Sequence, residues 1–306
     1  MNYFERVQRN VELIVNNTSL EPCLVGEKGK GKTDCVIDLA KRKYDGNIVT
    51  LYLGNMDEGD LMGLPVTVTD SSGLVRTTFA RPTWMPTEGK GIIFLDEVNR
   101  TRKNIFQAIM QLLLYKRVGE HKLPDGWVVV AAMNPPTENY SVTEITDEAM
   151  LDRLVFVKFT PSTEDWLDYA RSSGISQEMQ MFIAKNPEFL KRKAKGYSPE
   201  FVPPSCRSTS QLDRIWQAVK NYDDAYELMR EVGYSITGIT ATNAFLSFVE
   251  ENMVNITPEE LYSLNKATQK KVDKLLGQNS IDMLNKVVDD LIAYITDNAP
   301  TEKNWK

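Results

Sequence analysis

The sequence has 306 residues, of which 25% are charged and 42% are hydrophobic, and a formal net charge of −6. These values are typical of a globular protein with one large and one smaller domain. The acidic balance argues against extensive non-specific binding of nucleic acid but leaves room for a local basic path. A single histidine and three dispersed cysteines exclude a histidine-rich metal site and indicate neither zinc binding nor a disulfide framework. No signal sequence opens the chain and no apolar run approaches ~20 residues, so we expect a cytoplasmic protein without membrane contact.

Residues 26–33 fit the phosphate-binding pattern G-x-x-x-x-G-K-[ST] at every fixed position, although a simple glycine-rich turn is the alternative. The apolar segment 23–25 precedes them, and a helix-like run from Thr33 to Ala40 follows. In such a strand–loop–helix unit, glycines let backbone N–H groups turn toward phosphates, and the helix N-terminus adds partial positive charge. Lys32 would reach the β- and γ-phosphates of a nucleotide, and the Thr33 hydroxyl would bind Mg²⁺. The predicted nucleotide-binding residues of this loop are Gly26, Glu27, Lys28, Gly29, Lys30, Gly31, Lys32 and Thr33.

A pair of carboxylates follows the next strongly apolar segment. Residues 92–95 are apolar and predict a strand buried on both faces, as in a parallel sheet. Asp96 and Glu97 come directly after it, at the end where open α/β sheets bind their ligands. Asp96 would contact both nucleotide and Mg²⁺, and Glu97 would act on the attacking water as general base. A strand with a polar turn is the alternative, but together with the phosphate loop the pair predicts an NTPase.

A third polar residue follows another apolar strand. Apolar residues between 105 and 113 at helical spacing predict a helix with a broad buried stripe. A turn region, 116–126, leads to the apolar strand 128–132, and Asn134 stands shortly after it, before two prolines that prevent continuation of the strand. Asn134 is well placed to hold a water molecule or to contact the γ-phosphate. A plain Asn-Pro turn is the alternative.

Taken together, these segments resemble the AAA+ ATPases, and among them most closely the MoxR and dynein-related group of the helix-2-insert clade. The resemblance is carried by residues 26–33, by FLDEVNR at 94–100, by AAMNPP at 131–136 and by AMLDRLVF at 149–156. It implies an α/β fold: a three-layer αβα P-loop domain with a parallel sheet, followed by an all-helical lid and a helical C-terminal extension. We place these three domains at 1–160, 161–230 and 231–306.

The resemblance also implies roles for individual residues and for two cofactors, ATP and Mg²⁺. Asn134 matches the sensor-1 residue, which helps to align the lytic water with Glu97. Arg153 matches the arginine finger, which in this family reaches the γ-phosphate bound by the neighbouring subunit. A surface arginine paired with Asp152 is the alternative for Arg153. If Arg153 is the finger, activity requires a homo-oligomeric ring, usually a hexamer.

A weaker match concerns the lid. Arg207 stands before the helix predicted for 212–219 and matches the sensor-2 arginine, although Arg214 on that helix is a rival. The phosphate loop departs from the family pattern at Lys28, where a proline is common, and carries Lys30 in addition. Both lysines add positive charge near the phosphates and leave the backbone donors in place.

Two insertions typical of the clade can be located. The first is a hairpin predicted for 64–79, where β-branched runs flank a Ser-Gly turn. The second is the loop 116–126, where His121 is expected to be an exposed loop histidine. Rings of this clade point such loops toward the pore, where they meet the substrate, and solvated hairpins without function are the alternative.

After Phe159 the sequence predicts helices. Ser162 and Asp165 are spaced as a capping box. A basic linker occupies 191–196, a helix begins near Thr257, and the tail from Asn298 is expected to fray. The last helix has an apolar stripe that would pack on the lid or, alternatively, dock a partner protein. That stripe consists of Ile281, Leu284, Val288, Leu291 and Ile295.

Three functions fit these features. The first is an ATP-driven remodelling chaperone that acts on a protein client; MoxR relatives often work with a partner carrying a von Willebrand A domain, which this sequence lacks. The second is a nucleic-acid-dependent motor of restriction or helicase type, which would need a basic pore. The third is a non-hydrolysing scaffold, against which the water-activating Glu97 argues. Of the three, we expect the ATP-driven remodelling chaperone.

Overall fold

The computed structural model describes residues 1–101, 103–135, 148–191, 202–252, 261, 265–277 and 281–297. The basic linker beyond Lys191, the helix start predicted near Thr257 and the tail from Asn298 lie outside these residues. In the described part of the chain, no helix is both long enough and apolar enough to cross a membrane.

Strands and helices alternate in the first half of the described chain, and helices alone follow the last strand. This order confirms the predicted α/β fold with a helical C-terminal region. The strands are β1 (Glu21–Val25), β2 (Ile48–Tyr52), β3 (Pro65–Thr69), β4 (Val75–Phe79), β5 (Lys90–Asp96), β6 (Arg117–Val118), β7 (His121–Lys122), β8 (Gly126–Met133) and β9 (Leu154–Lys158). The α-helices are α1 (Tyr3–Asn17), α2 (Lys32–Lys43), α3 (Glu58–Met62), α4 (Lys103–Tyr115), α5 (Glu148–Leu151), α6 (Thr163–Ser172), α7 (Gln177–Lys185), α8 (Cys206–Val219), α9 (Ala225–Asn252), α10 (Lys266–Gly277) and α11 (Ile281–Asp297).

Five of the strands form a parallel sheet in the order β2–β5–β8–β1–β9. Successive side chains of β5 point to opposite faces, and both faces are buried. Ile93 and Leu95 belong to a core shared with α3 and α4, whereas Ile92 and Phe94 belong to a core shared with α1 and α2. The sheet therefore lies between two helical layers, as predicted.

The carboxyl ends of β1, β5 and β8 lie side by side. Ala131 of β8 pairs with Cys23 of β1 on one side and with Leu95 of β5 on the other. The loop after β1, Asp96 at the end of β5 and the residues after β8 therefore meet at one edge of the sheet. Parallel α/β sheets bind their ligands at this edge.

Two hairpins lie outside the sheet. The first hairpin (β3–β4) confirms the prediction for 64–79, and the second hairpin (β6–β7) is shorter. Thr78 Oγ1 donates to Glu120 Oε2 at 2.6 Å, and His121 Nε2 lies 2.9 Å from the Phe79 carbonyl oxygen. The two hairpins are thus joined. The prediction that His121 is an exposed loop residue is wrong, because this contact holds its half-buried ring against the first hairpin.

Helices α6 to α9 enclose a separate core that includes Trp166 and Phe245. The predicted capping box at the start of α6 is confirmed: Asp165 N donates to Ser162 Oγ, and Ser162 N donates to Asp165 Oδ2. Because Phe245 belongs to this core, the core continues beyond the lid boundary that the sequence predicts at residue 230. The division into three domains stays a prediction.

The members of the apolar stripe predicted for the last helix, α11, differ in their burial. Leu284 and Leu291 are half-buried, whereas Val288 and Ile295 are 51% and 44% exposed. Val287, outside the stripe, is half-buried as well, and the packing of the stripe on the lid stays a prediction. A partner-docking role for the exposed side stays a hypothesis.

Candidate nucleotide-binding site

The phosphate loop connects β1 to α2 and depends on its glycines. Gly29 and Gly31 have φ values of 80° and 96°, in the left-handed region that glycine adopts without steric cost. A Cβ atom at Gly26 would lie 2.1 Å from the Phe159 carbonyl oxygen, so this position also requires glycine. The loop thereby brings Lys32 to the first turn of α2. Glu27 and Lys28 occupy exposed positions of the loop.

Lys32 is buried at the centre of the loop. Its ammonium group donates to the carbonyl oxygens of Gly26 and Glu27, at 2.5 and 3.1 Å, and to Asn134 Oδ1 at 3.0 Å. Burial lowers the pKa of Lys32 to about 8 because the charged form loses hydration, although the nearby Asp96 opposes this shift. The site thus holds a poorly solvated cation, which an anionic phosphate would stabilise.

Two oxygen donors stand next to Lys32. Thr33 Oγ1 lies 3.5 Å from Asp96 Oδ2, and Asp96 Oδ1 accepts a hydrogen bond from Glu97 N at 2.9 Å. Burial raises the pKa of Asp96, against the influence of the Glu97 amide and Lys32. A hydroxyl and a carboxylate beside a phosphate loop are the hard oxygen ligands that Mg²⁺ prefers when phosphates complete its shell. Thr33 and Asp96 therefore fit the predicted metal.

Glu97 has an unusual backbone conformation and a charged partner. Its φ and ψ of 56° and 42° are left-handed, which is uncommon outside glycine and is often found at functional sites. The Glu97 carboxylate forms an ion pair with Arg100, with Nη1 at 3.2 Å from Oε2. Sequence reasoning did not identify Arg100, although the residue lies within the motif at 94–100.

Asn134 is held from two sides. Its side-chain oxygen accepts the hydrogen bond from Lys32, and its backbone oxygen accepts one from Asn99 Nδ2 at 2.7 Å. Asn99 and Asn134 are only 4% and 3% exposed. Asn99 was also missed by sequence reasoning; the only available signal was a second polar residue two positions after Glu97. The turn that follows β5 thus contributes two further polar residues to the site, Asn99 and Arg100.

The lid approaches the same loop. Arg207 N donates to the Gly29 carbonyl oxygen at 3.2 Å, and Lys30 Nζ donates to the Leu190 carbonyl oxygen at 3.1 Å. The Arg207 side chain is exposed, and its charge helps to lower the pKa of Lys32. Arg207 and its rival Arg214 both line a cavity of about 150 Å³ between the loop and α8. The structure therefore brings both arginines near the loop and Arg207 into direct contact with it.

Arg153 lies at the opposite edge of the sheet. It immediately precedes β9, and its carbonyl oxygen accepts a hydrogen bond from Glu21 N at 2.9 Å, at the amino end of β1. The phosphate loop begins at the other end of that five-residue strand, roughly 15 Å away at about 3.3 Å per residue. Among the described residues, the Arg153 side chain has no hydrogen-bond or ion-pair partner, so the alternative pairing with Asp152 is not observed. Arg153 is thus not part of its own chain's nucleotide site.

These elements define a known class of domain. Residues 21–154 match the family model for the AAA domain of the dynein-related subfamily. This part of the chain is similar to that subfamily and has the P-loop fold of the AAA ATPases. No curated protein matches the sequence.

Several solved structures match the chain at low sequence identity. A Cytophaga hutchinsonii protein assigned as an ATPase is 19% identical, with a TM-score of 0.39, over 83% of this chain and 90% of that chain. The RuvB Holliday junction branch migration motor of Thermotoga maritima is 13% identical, with a TM-score of 0.42, over 82% and 70% of the two chains. NtrX from Brucella abortus in complex with ADP is 14% identical, with a TM-score of 0.44, over 96% and 67%.

Proposed function

We propose that this protein is an Mg²⁺-dependent ATPase of MoxR type that remodels a protein client and works as a homo-oligomeric, hexameric ring with shared active sites. One observation carries the proposal: Lys32, Asp96, Glu97 and Asn134 converge at one edge of the sheet, while Arg153 lies at the other edge. A complete hydrolytic site would then need two copies of the chain.

The roles of the converging residues follow from their chemistry. Lys32 and the loop amides would hold the phosphates of ATP. Thr33 and Asp96 would hold Mg²⁺, which when bound neutralises charge on the phosphate oxygens. Glu97 would accept a proton from the attacking water, and Asn134 would orient that water.

Arg153 is proposed to complete the site of a neighbouring subunit. Its side chain is free of partners in the described chain and cannot reach its own phosphate loop. Leu151 and Phe156, close to Arg153 in sequence, are 40% and 42% exposed, and β9 is an edge strand of the sheet. Exposed apolar side chains around a free arginine suit a contact with another subunit. Arg207 would contact phosphate from the lid of the same subunit.

A protein client is favoured over nucleic acid. The first hairpin exposes Val66, Val68 and Val75, whereas its Arg76 is paired with Asp70. Exposed apolar side chains suit contacts with a polypeptide, and a basic nucleic-acid path would need free cations. The partner is proposed to be a protein, with a von Willebrand A domain as the first candidate; the cytoplasm is the expected compartment.

Two complementary variants test the shared site. Glu97→Gln should bind ATP and nearly abolish hydrolysis, and Arg153→Ala should do the same by removing the charge offered to the neighbour. Mixing the two proteins should restore part of the activity, because some interfaces then combine an intact Glu97 with an intact Arg153. As a matched control, Arg171→Ala removes an exposed arginine of α6 that pairs with Asp168, and should leave hydrolysis unchanged.

The outcomes separate the parts of the proposal. Undiminished hydrolysis by Glu97→Gln would remove this residue from the site, and no recovery in rings shown to be mixed would refute the shared site.

Mass photometry of Glu97→Gln with ATP should show a nucleotide-dependent ring. Stimulation of hydrolysis by DNA, rather than by unfolded protein, would replace the chaperone proposal with the nucleic-acid motor.

A further inference from the structure

We infer that the ion pair between the buried Glu21 and the half-buried Lys116 is a positioning pair for Arg153, which it holds in place relative to the second hairpin. The inference rests on the proposed function, because Arg153 needs a defined position only if it serves a neighbouring subunit. Both residues of the pair lie at the amino edge of the sheet, away from the phosphate loop. Their role is therefore separate from nucleotide binding within one chain.

The acidic partner of the pair is deeply buried, whereas the Lys116 side chain is 35% exposed. Glu21 is the first residue of β1 and is only 4% exposed, and Lys116 Nζ donates to its Oε1. Burial raises the pKa of Glu21, while the Lys116 ammonium and the Val129 amide favour the charged carboxylate. A buried carboxylate without a partner is strongly unfavourable. Lys116 is thus the group that keeps a charged Glu21 compatible with the sheet edge.

Lys116 is the residue from which the second hairpin starts. Its φ of 51° is left-handed, its N–H donates to the Leu112 carbonyl oxygen at 3.1 Å, and its own carbonyl oxygen accepts from Leu123 N at 2.7 Å. The backbone of Lys116 therefore ends α4 and closes the hairpin, while its side chain reaches Glu21. This one residue links the hairpin to β1.

Glu21 makes the second connection, to Arg153. Glu21 N donates to the Arg153 carbonyl oxygen, and Arg153 N donates to the Met150 carbonyl oxygen at 3.0 Å. Leu154, next in the chain, lies opposite Glu21 in the β1–β9 register. The Arg153 backbone is thus fixed between α5 and the residue that Lys116 binds. A shift of Arg153 by about 1 Å would be expected to cost up to roughly 100-fold in rate.

Packing is incomplete beside the ion pair. A cavity of about 430 Å³ borders the pair and is lined by Val15, Leu113 and Trp127, among others. Val118 and Leu123 anchor the hairpin in the core, but without the ion pair the Lys116 end of the hairpin borders open space into which it could shift. The pair is therefore the side-chain contact that we expect to hold the start of the hairpin against β1, and so at a fixed distance from Arg153.

The test uses the mixed rings described above. The double variant Glu21→Gln/Lys116→Met removes both charges without leaving one buried alone. It is placed either in the Glu97→Gln subunit, which contributes only Arg153, or in the Arg153→Ala subunit, which contributes only the nucleotide site. We expect the recovered ATPase activity to fall about tenfold in the first arrangement and less than twofold in the second.

Matched variants make either outcome decisive. Lys122→Met removes a neighbouring exposed lysine that pairs with Asp125 and should change neither arrangement. If the double variant fails to fold, Lys116→Gln alone, which keeps a donor to Glu21, takes its place. Equal losses in both arrangements, or no loss in either, would overturn the inference. A parent mixture without activity would instead refute the shared site, and this inference with it.

Discussion

The Glu97 carboxylate is bound by Arg100, whose Nη1 lies 3.2 Å from one carboxylate oxygen and 3.4 Å from the other. A carboxylate that accepts a charged hydrogen bond has to give it up, or share it, before it can take a proton from water. The Arg100 turn also packs against Gly54 after β2, because the Arg100 Cβ lies 3.7 Å from where a Cβ at Gly54 would be. The proposed general base is thus held by a residue of its own turn.

Arg100→Ala should accelerate basal hydrolysis. Both side chains of the pair are about a third exposed, so the contact is worth only about 0.5–1 kcal/mol, and its loss should raise kcat roughly two- to fivefold. Steady-state ATPase assays would measure this, with Arg100→Lys expected to remain near the parent rate. A fall in kcat for Arg100→Ala would show that Arg100 supports the reaction instead of restraining Glu97.

Lys32→Met should weaken ATP binding by about 10- to 100-fold, because charge-assisted hydrogen bonds to phosphate are worth about 1.5–3 kcal/mol. Isothermal titration calorimetry measures the dissociation constant directly. Lys30→Met is the matched control, since Lys30 lies in the same loop but its ammonium binds the Leu190 carbonyl of the lid. Similar losses for the two variants would mean that the loop responds to total charge and that Lys32 has no special position.

Gly26→Ala should destabilise the protein by about 1–3 kcal/mol, because the added methyl group would overlap the Phe159 carbonyl oxygen. Gly54→Ala is the control: its Cβ would make only an ordinary contact, at 3.7 Å, and its φ is not left-handed. Urea denaturation would compare the two midpoints. An unchanged midpoint for Gly26→Ala would show that β1 and Phe159 separate more easily than the structure indicates.

Asn99→Ala should lower kcat about tenfold and leave KM nearly unchanged, because Asn99 holds the backbone of Asn134, whose side chain is proposed to orient water. Asn99→Asp should behave alike, since a carboxylate cannot donate to the Asn134 carbonyl oxygen. As a control, Asn47→Ala removes a comparable hydrogen bond to the Lys90 carbonyl oxygen, far from the site, and should leave kcat and KM unchanged. A rise in KM with unchanged kcat would place Asn99 in substrate binding.

The grouping of Lys32, Asp96 and Asn134 could be predicted because each follows an apolar segment that reads as a buried parallel strand. Such strands deliver the residues after them to one edge whatever their order in the sheet. The order itself, and with it the distance to Arg153, depends on pairing between distant segments and could not be read from local pattern. Arg153 was assigned by family resemblance alone.

The contacts that sequence reasoning missed depend on backbone geometry or on long-range packing. Arg100 contacts Glu97 within a turn in which Glu97 adopts a left-handed conformation, which its residue type does not favour. His121 meets Phe79, 42 residues earlier in the chain, through the docking of one hairpin on another. Neither feature has a signal within a window of neighbouring residues.

The close approach of Phe159 that forbids a side chain at Gly26 also joins the phosphate loop to the start of the helical region. Phe159 N donates to the Val25 carbonyl oxygen at 2.7 Å, and the Tyr3 hydroxyl contacts the backbone on both sides of Phe159, at Lys158 and Thr160. The chain enters the helical region immediately afterwards. A change in the angle of that region would therefore act on the first residue of the phosphate loop, and the presence or loss of a phosphate would act in the reverse direction on the helices.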